Sequence, residues 1–585
     1  MVILLSHGIS STKEREACSN ILPDEEFRVF LTMNAKASVN WKLKTKVRLI
    51  ELNWTLAPEA KTIDWVGLFR RDPMIKFSHP IVGVSAFGFG GYFLTRFKFP
   101  KYPFHGMKSP QSTCLYGYWI GYISGNRTLK SNCLKLQPNW MWEDKDLIGS
   151  VPLNKLMIPG SHNSGSYLDF LGLSRINIIY RYTVNQGEDV WNQLLYGIRY
   201  LDIRVGYYKD TPEKFWVVHD FVRMNPLYEV LSDVRRFLQR TNEIVIMDFH
   251  RFPTGFEEGG MQHSELVRFL TRELGEFMAP DWIGRNVSMN DLWRINRTLI
   301  LTYAHYPSSA YNNIIWSEVP QSWADEGSVL PLKKFLKREM NKNSKATYFW
   351  AAMTHLTTSP IDIVLNLNGG LRELSDKIAR QVNIWYRVEW WDEANIVATD
   401  FFLGNNIIEE SIIANRKRVS TSGPISSLFS KLHRRKKKKK NVIINSGLSL
   451  STVVRTLRWV SRARVSAWFA EAFSFSVSDM ETDSTVEDTL QSETSLLKIN
   501  SRKDNKYNGI EDEDEDSKKW DLERNKSPLK SRISNKKVNM KLTQDNIMEW
   551  FLLSATGTNK SKEYYSSLLD KQMKDTLQQK EIDSN

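Results

Sequence analysis

Three ionisable side chains at the ends of apolar, strand-like stretches carry the strongest chemical signal in the sequence. His162 follows LMIPG in a turn rich in Gly and Ser, Arg204 lies at the end of GIRYLDIRV, and His219 lies near the end of FWVVHDF. One histidine can accept a proton, the other can donate one, and a fixed guanidinium can neutralise charge that grows on phosphate. These are the groups needed for cleavage of a phosphodiester, and they require no metal.

Each of these residues also has an ordinary structural interpretation. A strand-end histidine is often a hydrogen-bonded core residue, Arg204 could form an ion pair with Asp202, and Asp400 could cap the helix that follows it. Their common position favours chemistry, because all of them lie at the ends of predicted strands. The exposed amides of the turn after His162 also suit an anionic ligand.

Alternating strands and helices must position these side chains. Between about Trp140 and Arg416 the sequence predicts buried strands at 156–160, 197–205, 215–221, 243–252, 297–305, 347–353 and 395–402. This pattern favours an α/β fold with a (β/α) TIM-like barrel, and an open doubly wound sheet is the alternative. The barrel is favoured because barrel enzymes collect their chemistry at the C-terminal ends of different strands.

Different patterns lie on either side of the barrel region. Short β-branched or alternating runs broken by turns predict a small antiparallel β-sandwich over 38–136, followed by the barrel over 140–416. A basic and amphipathic segment is predicted over 417–475. The region 476–585 is rich in Ser, Lys, Asp and Glu, which predicts a disordered tail.

The net charge of +14 is concentrated in one place. Fifteen Lys and Arg and no Asp or Glu lie between Arg416 and Ala470, so the rest of the 585-residue chain has a net charge of −1. A region so close to neutral does not offer the basic surface that binds nucleic acid, and no nucleic-acid partner is expected. The run from Arg434 to Lys440 can bind an anionic membrane surface, with a nuclear-localisation patch or a solvated extension as alternatives.

Cysteine content and hydrophobicity bear on location. The three cysteines, Cys18, Cys114 and Cys133, are too few for a disulfide scaffold and show no metal-ligand spacing, so a reducing compartment is expected. The first residues lack the apolar core of a secretory signal, and no stretch of about 18 apolar residues could span a membrane. We expect a cytoplasmic protein that is peripheral at membranes; secretion is the alternative if the N-terminus is incomplete.

Five motifs of the barrel region occur in the order and at the spacing of a known family. They are LMIPGSHNSGSYLD, GIRYLDIRV, FWVVHDF, EIVIMDFHRF and NIVATDFF. This set resembles the phosphatidylinositol-specific phospholipase C X domain, and in particular the X domain-containing proteins. The resemblance covers about Trp140 to Arg416 and implies a phosphoric diester hydrolase that cleaves phosphatidylinositol-type lipids.

The resemblance also implies a role for each residue that matches a motif. His162 is implied as the general base that takes the proton of the inositol 2-hydroxyl, and Asp400 as the carboxylate that orients it. Arg204 is implied as the cation that neutralises the phosphate, with Asp202 beside it. His219 is implied as the general acid that protonates the diacylglycerol leaving oxygen.

Two departures from the family pattern affect the expected activity. Asn163 stands where the bacterial-type pattern has Asp, so a weaker general acid is expected, because an amide cannot stabilise an imidazolium by charge. Asn at this position is a metal ligand in the calcium-dependent members, but Arg204 replaces an acidic residue there and would repel a divalent cation. We therefore expect no cofactor, with calcium as the alternative. An inactive lipid-headgroup-binding adaptor is the alternative function.

Four further residues are candidates for contact with the inositol headgroup, together with Asn163. EIVIMDFHRF aligns with a family strand whose basic residue helps to bind the headgroup, which indicates His250 or Arg251. Tyr303 and Trp390 are the candidates for side chains that face the ring.

Overall fold

The computed structural model describes residues 27–421, apart from 40–44, 77–78, 88, 102–103, 105–109, 168–177, 257–259, 306–312, 360–362 and 364–368. The predicted tail over 476–585 and the predicted basic segment after Thr421 lie outside the described residues. The first residues of that segment, 417–421, end a helix that begins at Ile407, so this helix crosses the predicted boundary at Arg416.

An antiparallel β-sandwich forms the N-terminal part of the described chain. Its strands are β1 (Val29–Met33), β2 (Ser38–Val39), β3 (Thr45–Lys46), β4 (Leu49–Trp54), β5 (Trp65–Phe69), β6 (Val82–Ser85), β7 (Tyr92–Lys98), β8 (Thr113–Ser124) and β9 (Arg127–Leu136). One sheet has the order β1-β4-β7 and the other β6-β5-β8-β9, while β2 and β3 form a separate pair. Apolar side chains from both sheets, including Leu52 and Leu68, share one core.

The sandwich begins earlier than the sequence predicts. Strand β1 starts at Val29, ahead of the predicted boundary at Ser38, and pairs with β4 along its whole length. All five of its residues are buried, so it lacks the alternation of exposed and buried positions by which a strand of a sandwich is recognised.

A disulfide joins Cys114 to Cys133 between the adjacent strands β8 and β9. The number and spacing of the cysteines predict a reducing compartment and no disulfide scaffold. Pairing depends instead on the β8–β9 register, which brings the two Cα atoms to 5.7 Å, within the range a disulfide can bridge. Cys18 lies outside the described residues.

The next region contains a curled sheet of mainly parallel strands. Its strands are β10 (Ile158–Ser161), β11 (Tyr200–Tyr207), β12 (Phe215–His219), β13 (Val222–Pro226), β14 (Val245–Thr254), β15 (Leu299–Tyr303), β16 (Trp316–Ser317), β17 (Gln321–Ser322), β18 (Ala351–Met353) and β19 (Ile396–Thr399). The parallel order is β16-β15-β14-β11-β10-β19-β18-β17. The two edge strands, β16 and β17, are joined by residues 318–320 alone, so the edges of the sheet meet. The predicted TIM-like barrel is confirmed, and the open sheet is excluded.

One predicted barrel strand has a different role, and the two short barrel strands β16 and β17 were not predicted. Strand β12, predicted as FWVVHDF, pairs antiparallel with β11 and forms a hairpin with β13 outside the parallel order. Its apolar residues gave it the sequence pattern of a barrel strand. The extended stretch from Trp316 to Ser322 takes a place in the barrel, but it is too short and too polar for its sequence to predict a buried strand.

Helices pack around the barrel through apolar faces. They are α1 (Trp140–Glu143), α2 (Lys145–Ile148), α3 (Ile178–Thr183), α4 (Val190–Tyr196), α5 (Leu227–Leu238), α6 (Met261–Leu274), α7 (Met289–Arg294), α8 (Val329–Asn343), α9 (Leu371–Ile384) and α10 (Ile407–Thr421). In α5 the buried residues Val230, Val234 and Phe237 recur at helical spacing. Within the described ranges, no helix is both long enough and apolar enough to cross a bilayer.

Candidate active site

His162 lies at the centre of the site, directly after β10, and is almost completely buried. Its Nε2 lies 2.7 Å from Nη2 of Arg204, and its Nδ1 lies 2.8 Å from Oδ1 of Asp400. A guanidinium can only donate, so Nε2 must accept and the proton must sit on Nδ1, which donates to Asp400. Burial and the positive charge of Arg204 lower the pKa of His162 well below its ordinary value, which keeps the imidazole neutral.

Asp400 follows β19, the strand beside β10, and this parallel pairing brings its carboxylate to His162. Asn185 also donates to Asp400 Oδ1, over 2.9 Å. Burial raises the pKa of Asp400, although the two hydrogen bonds favour its charged form. Asp400 can therefore fix the tautomer of His162 and stabilise an imidazolium when one forms.

Arg204 and Asp202 lie on β11, the other neighbour of β10. Nη2 of Arg204 is 3.7 Å from Oδ2 of Asp202, which also accepts the backbone N–H of Asn163 over 2.9 Å. Burial alone would raise the pKa of Asp202, but the charge of Arg204 and the backbone hydrogen bond from Asn163 lower it, so it is ionised. Nε of Arg204 is buried and has no hydrogen-bond partner among the described residues, so it can donate to an incoming anion.

His219 ends β12 and reaches the site from the hairpin, not from a barrel strand. Its Nδ1 lies 2.8 Å from the carbonyl oxygen of Thr183, so Nδ1 carries a proton and Nε2 is the nitrogen that can exchange one. Nε2 is 3.8 Å from the exposed carboxylate of Asp220. The same carbonyl accepts from Oγ of Ser166, in the turn after His162, so His219 lies beside that turn.

Asn163 has the left-handed backbone conformation, with φ 46°, which Asn tolerates better than most residues. Its amide nitrogen donates to Asn185 Oδ1 over 3.2 Å. Its amide oxygen is buried without a hydrogen-bond partner among the described residues. Asn163 thus supports the turn through its backbone and leaves one acceptor available beside the base.

The structure brings His250 and Arg251 to the site but not Tyr303 or Trp390. In the β11–β14 register Arg204 lies opposite Arg251, whose charge acts on His162. His250 Nδ1 is 3.4 Å from Oδ2 of buried Asp248. Although burial lowers the pKa of His250, the hydrogen bond and charge of Asp248 outweigh it and raise the pKa.

The two aromatic candidates belong to the hydrophobic core. Tyr303 is fully buried against Phe252, and its hydroxyl is 2.9 Å from Nδ1 of His263. Trp390 is buried against Trp385 and its neighbours in a second apolar cluster. Aromatic residues near strand and helix ends fill the core here, because their large apolar area favours burial over exposure to a ligand.

Three further residues of the site are not among the candidates predicted from the sequence. The ring of His355 stacks on His162, with centroids 3.8 Å apart and planes 7° from parallel. Asn185 bonds to Asp400, and Nε2 of Gln321 lies 3.2 Å from Oδ1 of Asp202. Only His355 had a usable signal, because it comes two residues after a predicted strand; the other two lie in segments with no strand pattern.

Comparison with known proteins finds relatives for part of the chain. No protein-family model matches it. PI-PLC X domain-containing protein 3 of Mus musculus is 27% identical over 292 residues, which cover 45% of this chain and 88% of that protein. PI-PLC X domain-containing protein 1 of Homo sapiens is 23% identical over 323 residues, which cover 51% of this chain and 98% of that protein.

Solved structures of bacterial enzymes are also similar. A mutant phosphatidylinositol-specific phospholipase C from Staphylococcus aureus matches with a TM-score of 0.37 and 15% identity, over 48% of this chain and 96% of that one. The phosphatidylinositol-specific phospholipase C from Listeria monocytogenes matches with a TM-score of 0.34 and 19% identity, over 48% and 98%. In sequence, this chain is related to the PI-PLC X domain-containing proteins, and the resemblance predicted from its five motifs is confirmed.

Proposed function

We propose that the protein is a phosphodiesterase that cleaves phosphatidylinositol-type lipids by acid–base catalysis, without a metal. The observation that supports this most directly is the arrangement around His162, a buried neutral imidazole between the carboxylate of Asp400 and the guanidinium of Arg204. A base held neutral at ordinary pH beside a cation suited to phosphate matches the needs of this reaction.

Substrate binding would release the base. In the ligand-free site Arg204 donates to the lone pair of His162 Nε2, and that lone pair must accept the proton of the nucleophile. A phosphate attracts the guanidinium more strongly than a neutral imidazole does, because the hydrogen bond is then assisted by charge on both sides. Arg204 would turn to the phosphate and leave Nε2 free to act as base.

The proposed first step conserves every proton. The inositol 2-hydroxyl oxygen bonds to phosphorus, and its proton passes to Nε2 of His162. The bond from phosphorus to the diacylglycerol oxygen breaks, and that oxygen takes a proton from Nε2 of His219. The products are diacylglycerol and a cyclic inositol phosphate. In a second step His219 takes a proton from water and the water oxygen bonds to phosphorus. The bond from phosphorus to the 2-oxygen breaks, and His162 returns its proton to the 2-oxygen, which gives inositol phosphate.

The guanidinium of Arg204, next to Asp202, disfavours calcium as a cofactor in this proposal. The carboxylate of Asp202 would be the natural calcium ligand on β11, but it is already next to the cation of Arg204, 3.7 Å away. A divalent ion placed there would be repelled by the guanidinium.

The test is release of inositol phosphate from phosphatidylinositol vesicles by the full chain. We expect turnover that persists in EGTA and falls by at least ~100-fold in His162→Ala and in His219→Ala, the lower end of the usual contribution of general acid–base catalysis. His79→Ala, an exposed histidine of the sandwich, is the matched control and should keep full activity. Full turnover in both site variants would overturn the proposal.

A lipid-headgroup-binding protein with weak or no turnover is the second candidate. It is favoured by the surroundings of His219, whose Nδ1 is bonded to a neutral carbonyl and not to a buried carboxylate. An imidazolium so placed receives little charge stabilisation. This candidate predicts vesicle binding without product, and robust turnover by the wild type would exclude it.

The proposed function also includes peripheral attachment of the protein to membranes. The run from Arg434 to Lys440 would hold the barrel at an anionic membrane surface, at about 1 kcal/mol per basic side chain. Vesicle co-sedimentation of the wild type and of a variant with this run replaced by Gln tests the attachment. The proposed gain in affinity should disappear at high salt.

A further inference from the structure

The N-terminal sandwich is linked to Asp400 by helix α9, which contacts both. We propose that the sandwich is a brace that holds Asp400 against His162, so that the chemistry of the barrel depends on a module outside it. The inference rests on the proposed function, in which Asp400 orients the base. In this proposal Asn34, Glu51 and Arg380 are positioning residues, because they act through α9 and not on the substrate.

The residues that follow β1 bond directly to α9. Nδ2 of Asn34 donates to Oδ1 of Asp376 over 2.7 Å. The carbonyl of Ala35 accepts from Nη1 of Arg372 over 3.0 Å. Asn34 and Ala35 are both buried, while their partners on α9 are half-buried, so these bonds are partly shielded from water. Residues 372 and 376 are one helical turn apart and lie on the same side of α9.

One more turn along the helix, a partly buried ion pair makes the second attachment. Nε of Arg380 donates to Oε1 of Glu51, on β4, over 3.1 Å, and Nη2 of Arg380 donates to the other carboxylate oxygen. Glu51 is only 2% exposed and also accepts from Asn34 Nδ2 over 2.8 Å, whereas the Arg380 side chain is 26% exposed. A bidentate pair with a buried carboxylate tolerates little displacement, because movement of Arg380 leaves the buried charge of Glu51 without its partner.

The adjacent side of α9 holds the backbone that carries Asp400. Oγ of Ser375 donates to the carbonyl of Asp400 over 3.0 Å. The guanidinium of Arg372 lies 4.3 Å from the ring centroid of Phe401. Phe401 has φ 43°, a conformation that costs a bulky residue free energy and persists only when its surroundings enforce it. Arg372 therefore bonds to the sandwich and packs on the strained residue next to Asp400.

The test removes the brace and observes the His162–Asp400 hydrogen bond. The variant is Glu51→Gln/Arg380→Gln, which deletes both charges so that neither is left unpaired. The matched control is Arg235→Gln/Glu273→Gln, a partly buried pair between α5 and α6 with a distance of 2.8 Å. The first readout is the proton signal of His162 Nδ1 in full chain labelled with ¹⁵N-histidine, assigned by its loss in Asp400→Asn.

We expect this signal to shift or broaden in the brace variant and to stay in place in the control. Turnover should fall about tenfold in the brace variant, in line with the large effect of an ångström-scale misplacement. In an Asp400→Asn background the same two substitutions should change turnover less than about twofold, because interactions that act through one group are not additive.

Two outcomes would overturn the inference. One is an unchanged His162 Nδ1 signal in a brace variant whose circular dichroism is native. The other is an equal loss of turnover with and without Asp400. If the wild type shows no turnover, the proposed function fails while the proton signal still decides whether the sandwich holds Asp400. If the brace variant does not fold, Asp376→Ala, which removes the bond to Asn34 and the 3.5 Å ion pair with Arg380 but keeps the Glu51–Arg380 pair, is measured in the same way.

Discussion

At the scale of single residues, the site depends on which protons each group can hold. Arg204 can only donate, so its contact with Nε2 of His162 requires the proton of the imidazole to be on Nδ1. Asp400 on the other nitrogen requires the same tautomer. Both contacts require the proton of His162 to be on Nδ1. His162 is therefore in the tautomer that a base needs, but Arg204 occupies its Nε2 lone pair until an anion binds the guanidinium.

His355 makes the site sensitive to acid. Burial lowers the pKa of His355 to about 3, whereas the same side chain in the unfolded chain has a pKa near 6.5. Between these values the unfolded chain binds a proton that the native protein does not, so stability is complete above pH ~6.5 and falls as the pH is lowered. At pH 5 this group alone should have removed about 2 kcal/mol from the free energy of unfolding.

The prediction is checked with His355→Phe, which keeps a planar ring against His162 and cannot take a proton. Urea unfolding at pH 7.5 and pH 5 should show a loss of stability on acidification that is smaller in the variant by about 2 kcal/mol. Parallel losses in the two proteins would show that His355 does not contribute.

At the scale of elements, the hairpin of β12 and β13 sets the distance between the acid and the base. Gly165, in the turn after His162, lies so close to β12 that a Cβ atom there would come within 2.7 Å of Val217 Cγ1. Gly165→Ala should therefore push β12 outward and carry His219 away from His162. We expect turnover to fall ~10- to 100-fold, because the loss of alignment is of the order of an ångström.

The matched control for this prediction is the double variant Gly165→Ala/Val217→Ala. Removing the two methyl groups of Val217 relieves the contacts of 2.7 and 2.8 Å and leaves only the Cβ of residue 217, at 3.1 Å, so β12 should move most of the way back and most of the turnover should return. Val217→Ala alone leaves a small cavity and should cost stability but little turnover. Failure of the double variant to recover activity, while it remains folded, would contradict this account of the hairpin.

The same elements show what the sequence could predict and what it could not. Strand ends at His162 and Arg204 were predictable, because buried parallel strands are long apolar runs and their polar ends stand out. The role of β12 was not, because a strand pairs antiparallel or parallel according to tertiary contacts that its own residues do not encode. The roles of Asn185 and Gln321 could not be predicted either, because their hydrogen-bond partners are distant in sequence.

At the scale of the whole molecule, two features bear on where the protein works: the disulfide, and the Asn-X-Ser/Thr sequons for N-glycosylation, which among the described residues begin at Asn53, Asn126, Asn286 and Asn296. Disulfides are rare in reducing compartments, so the pair Cys114–Cys133 supports the extracellular alternative over the cytoplasmic expectation. The sequon at Asn53 is buried and bonded to Thr32, so it is closed to glycosylation. Those at Asn126, Asn286 and Asn296 are exposed.

The last prediction concerns the thiols. If the disulfide forms in the native protein, maleimide added under denaturing but non-reducing conditions should modify one cysteine of each chain, Cys18, and all three after reduction. The disulfide closes a loop between neighbouring strands and so restricts the unfolded chain. The reduced protein should therefore also unfold at a lower urea concentration. Cys114→Ser/Cys133→Ser is the control and should lose its dependence on reductant. Modification of three cysteines without reductant would show that the pair stays reduced. That result would favour the reducing compartment predicted from the number of cysteines.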